Sequence, residues 1–82
     1  MKAPEVRRLS LSHDAATLQA AADAILAGQP PAIEVQGDAE EGEHLTHALL
    51  ALRVRKLVDA GAAHKDAFRE VMTAVRGVLT DD

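Results

Sequence analysis

Apolar positions along this chain follow two different periods, and the helical one dominates. Leu18, Ala21, Ala22 and Ile25 recur at the i, i+3, i+4, i+7 spacing, flanked by Ala15 and Leu26, which predicts a helix over residues 14–27. Ser12 is its N-cap candidate and Gly28 its stop, and Pro30-Pro31 prevents continuation because proline has no N–H to donate. A second and longest helix is predicted over residues 40–60, with Glu40, Glu41 and Glu43 crowding its start and Arg53, Arg55 and Lys56 toward its end, as the helix dipole favours. Gly61 closes it. A third is predicted over residues 64–79, where Phe68, Val71, Met72, Val75 and Leu79 form one stripe broadened by Ala67, Ala74 and Val78. Arg69, Glu70, Thr73 and Arg76 face the other way, and the tail from Thr80 to Asp82 is expected to fray.

The other period is two. Ala32 to Gln36 alternates apolar and polar residues around the β-branched Ile33 and Val35, and Gly37-Asp38 ends the run, so residues 32–36 read as a short extended segment. Val6, Leu9 and Leu11 show a less regular version of the pattern, which makes residues 5–11 a candidate second extended piece able to pair with the first. The resulting expectation is a mainly all-α single domain over residues 1–82, with three helices.

The long helix carries two apolar faces. Leu45, Ala48, Leu49 and Leu52 form one, and Leu50, Val54, Leu57 and Val58 cluster nearly opposite. Two faces need two partners, and a second copy of the chain is the economical choice for one of them, so these last four residues are the expected oligomer interface. Composition points the same way. Leu, Val, Ile, Met and Phe supply 22 side chains and Ala another 17, with Phe68 the only aromatic, so the core of this 82-residue chain is built from small groups. Cores of that kind bury little area, and oligomerisation is a common supplement. A homo-oligomeric helical bundle follows.

Charge excludes more than it identifies. Nine Lys and Arg face thirteen Asp and Glu, a net charge of −4, which argues against a dedicated nucleic-acid binder. Without cysteine there is no disulfide framework, thiol redox centre or cysteine zinc site. No apolar stretch has the length of a membrane span or of a signal peptide's core, and a cytoplasmic location without membrane contact is expected. The glycines are scattered, so no phosphate-cradling loop exists.

The densest polar constellation is Glu40, Glu41, Glu43, His44 and His47. On a helix Glu40 and His44, like Glu43 and His47, are i, i+4 and share a face, so a carboxylate and an imidazole can reach one cation. Paired Glu-x-x-His helices do this in ferritin-like carboxylate sites. Glu43, His47 and Glu40 are accordingly the candidate ligands of a divalent first-row metal, completed across a subunit interface or by His13, Glu34 or His64. The alternative reading needs no cofactor, because acids and exposed histidines are ordinary at a helix start. No nucleophile stands out: Thr46 and His47 point about 100° apart as helical neighbours, and Ser10 and Ser12 near His13 and Asp14 read as a local cap. Arg53, Arg55 and Lys56 form a small basic group best read as a solvated face or as partners for a second chain's acids.

The segments Pro31-Ala-Ile-Glu-Val-Gln-Gly-Asp38 and Glu41-Gly-Glu-His-Leu-Thr-His47, after an opening Met-Lys-x-Pro and Val6-Arg-Arg-Leu9, resemble a family of small bacterial proteins of unknown function. The resemblance covers nearly the whole chain and is most specific at Ile33-Glu-Val35 with Gly37, at Gly42-Glu43 and at Leu45-Thr46-His47. His44 falls at a position expected to vary. What the resemblance implies is a small helical fold; it brings no activity, substrate or cofactor. The function expected is therefore a non-enzymatic, homo-oligomeric module that binds another protein through the acidic shoulder from Glu34 to Glu43 or through its spare helical face.

Overall fold

The computed structural model describes residues 1–80 and, within them, the side chains up to Val75. Four helices follow one another: α1 (Ala3–Ser12), α2 (Ala15–Leu26), α3 (Glu43–Asp59) and α4 (His64–Thr80). The all-helical expectation holds, but the count is four and not three. Among the described residues there is no strand.

The additional helix is α1, where an extended segment was expected over residues 5–11. Val6 and Leu9 are three residues apart, which on a helix puts both on one side and on a strand would put them on opposite faces. Both are fully buried, while Leu11 is exposed. Pro4 sits in the first turn, where its fixed φ costs nothing. Glu5 and Arg8, at the i, i+3 spacing, are joined by two hydrogen bonds of 2.8 and 2.6 Å.

The α2 boundaries match the pattern closely, but its N-cap is Asp14 rather than Ser12: Asp14 Oδ1 accepts the Thr17 N–H at 2.8 Å. Hydrogen bonding by Thr17, first through its side chain and then through this N–H, lowers the Asp14 carboxyl below its ordinary pKa. Helix α3 starts three residues later than expected, because Gly42 adopts a left-handed conformation with φ of 72° and Asp38 to Gly42 form turns. Glu40 and Glu41 therefore lie outside the helix. In α4 the inward stripe is seen at Ala67 and Val71, with Phe68, Met72 and Val75 half-buried against the core. The expected contributions of Val78, Leu79 and Arg76, and the fraying of Asp81 and Asp82, fall outside the described residues.

Helix α3 is the central element and packs against α1, α2 and α4, and α1 also touches α4. One core joins Val6 and Leu9 of α1, Leu18 of α2, Leu50, Ala51, Leu52 and Val54 of α3, and Ala67 and Val71 of α4. Much of both apolar faces of α3 thus packs inside the same chain, although Leu49 is 39% exposed. Leu50 and Val54, expected at an oligomer interface, are buried in this core, and Leu57 and Val58 pack against it. The packing on these four residues comes from within the chain, where α1, α2 and α4 all contact α3.

Residues 32–36 keep the predicted alternation without pairing as a strand. Ile33 and Val35 turn inward and pack on the core. The backbone polar groups of this stretch bond to side chains instead of to a neighbouring strand, and that arrangement defines the first of two sites.

Candidate functional site

Four side chains around the start of α3 hold the loop from Glu34 to Asp38 in place. Arg8 donates to the Glu34 carbonyl at 3.0 Å, and the Gln36 N–H donates to Glu5 Oε2 at 2.9 Å. The Asp38 N–H donates to Glu43 Oε1 at 2.9 Å. His47 is fully buried and bonded at both ring nitrogens. Its Nε2 accepts the Lys2 N–H at 2.9 Å, which assigns the ring proton to Nδ1, and Nδ1–H donates to the Gln36 carbonyl at 2.6 Å. The Met1 amino group completes the set, 3.0 Å from Glu43 Oε2.

Gly37 is essential to this closure. Its φ is +135°, and an added Cβ would stand 2.7 Å from the His44 nitrogen, so the loop can approach the first turn of α3 only with glycine there. The motif residues Gly37, Gly42-Glu43 and His47 thus meet in space as a polar latch that ties the N-terminus, the loop and α3 together. Glu5 is buried within it, and the Arg8 hydrogen bonds hold its carboxyl below the usual glutamate range against the opposing effect of burial, with help from the Gln36 N–H. Glu43 is likewise lowered by the Asp38 N–H and then by the Met1 amino group.

The latch also shows what the proposed ligands do here. Neither nitrogen of His47 has a free lone pair, both carboxylate oxygens of Glu43 are occupied, and Glu40 is on the turn before the helix with its N–H on Asp38 Oδ1. An ion at His47 would have to displace the Lys2 or the Gln36 backbone. Among the described residues, no three or more His, Cys, Asp or Glu side chains gather around one point. His13, Glu34 and His64 join no such group. Arg55 leaves the basic trio for the interior, pairing with Asp59 at 3.1 Å and reaching the Ser10 carbonyl at 3.4 Å, whereas Arg53 and Lys56 line a shallow cleft between α3 and α4 with Glu70.

The second site lies between α1 and α4, an open groove of about 680 Å³. Phe68, Met72, Val75, Met1 and Ala3 give it an apolar floor, and Arg7, His64, Lys65 and Arg69 stand around it. The Arg7 guanidinium lies 5.0 Å above the Phe68 ring, and His64, one turn before Phe68, stacks against the same ring at 6.1 Å. His64 Nε2 is 2.8 Å from Ser10 Oγ, which also donates to the Arg7 carbonyl at 3.1 Å. This serine–histidine pair was not legible in the sequence, 54 residues apart. Ser10 has no exposed surface, so its hydroxyl braces α1 against α4 and meets no substrate. Burial, then the positive charges of Arg55 and Arg7, push His64 below the ordinary imidazole value.

Arg7, Lys65 and Arg69 are exposed and have no acidic partner among the described residues, where the ion pairs are Met1–Glu43, Arg8–Glu5 and Arg55–Asp59. A cluster of unpaired cations around an apolar floor, on a chain of net charge −4, is a local reversal of the overall charge. No helix among the described residues is long and apolar enough to cross a membrane.

Neither the curated proteins nor the solved structures contain a match to this chain. A family model does match, over residues 1–80, and takes in the α1 helix, the latch and the groove alike. The chain belongs to that family, DUF6952, a family of unknown function.

Proposed function

We propose that this protein is an interaction module without catalytic activity, and that its working surface is the α1–α4 groove, which receives an acidic polypeptide segment carrying apolar side chains. The observation that carries the reading is the set of cations without an acidic partner among the described residues, Arg7, Lys65 and Arg69, standing around Phe68, Met72 and Val75. Apolar anchors supply affinity in such grooves, and complementary charge selects the partner and speeds its arrival. The latch is the scaffold of this module: its hydrogen-bonding groups are used internally, so it holds α1 against α3 and leaves the groove to bind. Docking there also buries apolar surface that a core of small side chains lacks.

Nuclear magnetic resonance titration tests the reading with two designed helical peptides of the same apolar pattern, one with glutamates and one with lysines on its polar face. The acidic peptide is expected to shift the Phe68, Met72 and Val75 signals, and the double variant Lys65→Glu with Arg69→Glu to lose the effect. Equal binding of the basic peptide, or shifts confined to other faces, overturns it.

A further inference from the structure

We propose that the segment occupying the groove is the acidic shoulder of a second copy of this chain, with that copy's adjoining Met1 as the apolar side chain it brings, exchanged reciprocally about a two-fold axis near Met1. This rests on the groove being a binding surface, and it names the partner. The shoulder is the turn before α3, where Asp38, Glu40 and Glu41 are exposed and Glu40 and Glu41 have no ion-pair partner among the described residues. It adjoins the groove through one residue: the Met1 side chain lines the groove, while the Met1 amino group sits 3.0 Å from Glu43 at the shoulder's end.

A surface with a basic half and an acidic half side by side is complementary to itself. A two-fold rotation through the boundary places each acidic half on the other copy's basic half, so both contacts form at once, as an isologous interface requires. Exposed apolar surface is available at the boundary, where Met1 is 48% exposed, and in the half-buried Phe68, Met72 and Val75 of the floor. A foreign acidic helix would satisfy the groove alone. Only a second copy satisfies the groove and the unpaired shoulder together.

Analytical ultracentrifugation of the purified protein and two charge-reversed variants tests this. The wild type is expected to be a dimer at micromolar concentration in low salt and to shift toward monomer in 0.5 M salt, because the pairs are solvent-accessible and screened. Lys65→Glu with Arg69→Glu makes both halves acidic, and Glu40→Lys with Glu41→Lys makes both halves basic. Each alone is expected to weaken self-association by on the order of tenfold or more, as like charges then face each other. An equimolar mixture is expected to recover the dimer, since both contacts of the mixed pair regain opposite charges.

A mixture that stays monomeric overturns the second-copy assignment, as does a wild-type dimer indifferent to all four reversals. Circular dichroism confirms folding of each variant, which the exposure of the four positions favours. A wild type monomeric at 100 µM whose Phe68 and Met72 signals still shift with the acidic peptide refutes the second copy and keeps the groove; no shift refutes both.

Discussion

The latch at the start of α3 and the groove between α1 and α4 contain similar residue types, and they use them in opposite ways. In the latch Glu5, Arg8, Glu43 and His47 spend their polar atoms on one another and on the backbone of residues 34–38 and the N-terminus. In the groove Arg7, Lys65 and Arg69 meet no carboxylate among the described residues, and Arg7 lies only over the Phe68 ring. A buried polar group without a partner carries a heavy desolvation cost, so satisfied networks are what fold stability requires. Exposed cations lose little by staying unpaired. The same physics makes the latch structural and leaves the groove free for a partner, although the latch has the more suggestive sequence.

Mutation breaks this contrast most sharply at His47. His47→Ala is expected to leave the Lys2 N–H and the Gln36 carbonyl without partners and open a void, for a loss of about 3 kcal/mol. Roughly 4–8 °C of Tm per kcal/mol makes this visible in thermal unfolding; an unchanged Tm would refute the latch. Gly37→Ala follows, at about 2 kcal/mol, because the new Cβ meets the His44 backbone and the positive φ disfavours any side chain. Gly42→Ala is the internal control. That position has positive φ but open space around it, so its cost is expected to be smaller, about 1 kcal/mol.

Acid separates the two regions more gradually. The Glu5 pKa is lower in the folded state than its ordinary value of 4.5, so its stabilisation is complete above pH 4.5 and is lost as pH falls through the folded pKa. His64 is also lowered, from 6.5, and the unfolded chain therefore takes up its proton first. Stability is expected to decline below pH 6.5 until the folded pKa is passed, then again below pH 4.5. His64→Asn should flatten the upper step and Glu5→Gln the lower one, as read from Tm against pH; a profile in which neither variant changes its step contradicts the assignments. The smallest effect belongs to the groove rim, where Lys65→Glu is expected to alter stability by no more than about 0.5 kcal/mol. A large loss there would mean that the rim, too, holds the fold together.

Legibility followed the range of the interactions. The spans of α2 and α4 could be read closely from apolar spacing, and Gly28 and Gly61 as stops, because a helix and its cap are decided within a few residues. α1 was read as extended because only Val6 and Leu9 among its large apolar residues turn inward, and an amphipathic stripe of two is too short to show its period. Glu40 was placed on α3 because nothing local distinguishes a glycine in the first helical turn from one just before it. Asp38 distinguishes them: its carbonyl accepts the Glu43 N–H at 2.9 Å and starts the helix after Gly42. The spacing of Glu43 and His47 suggests shared metal ligation, but the atoms they serve in the structure belong to Met1, Lys2, Gln36 and Asp38.

By itself the sequence determined the helical class and the placement of α2 and α4, since each depends on periodicity and stop signals within a short window. Only the tertiary structure decided that residues 3–12 are a helix packed on α3, that His47 is a tie between backbones, and that the cations of α1 and α4 share one groove. Those outcomes depend on which distant segments meet, and packing settles that by burying apolar area while pairing most of the polar groups buried with it, a condition that couples the whole chain.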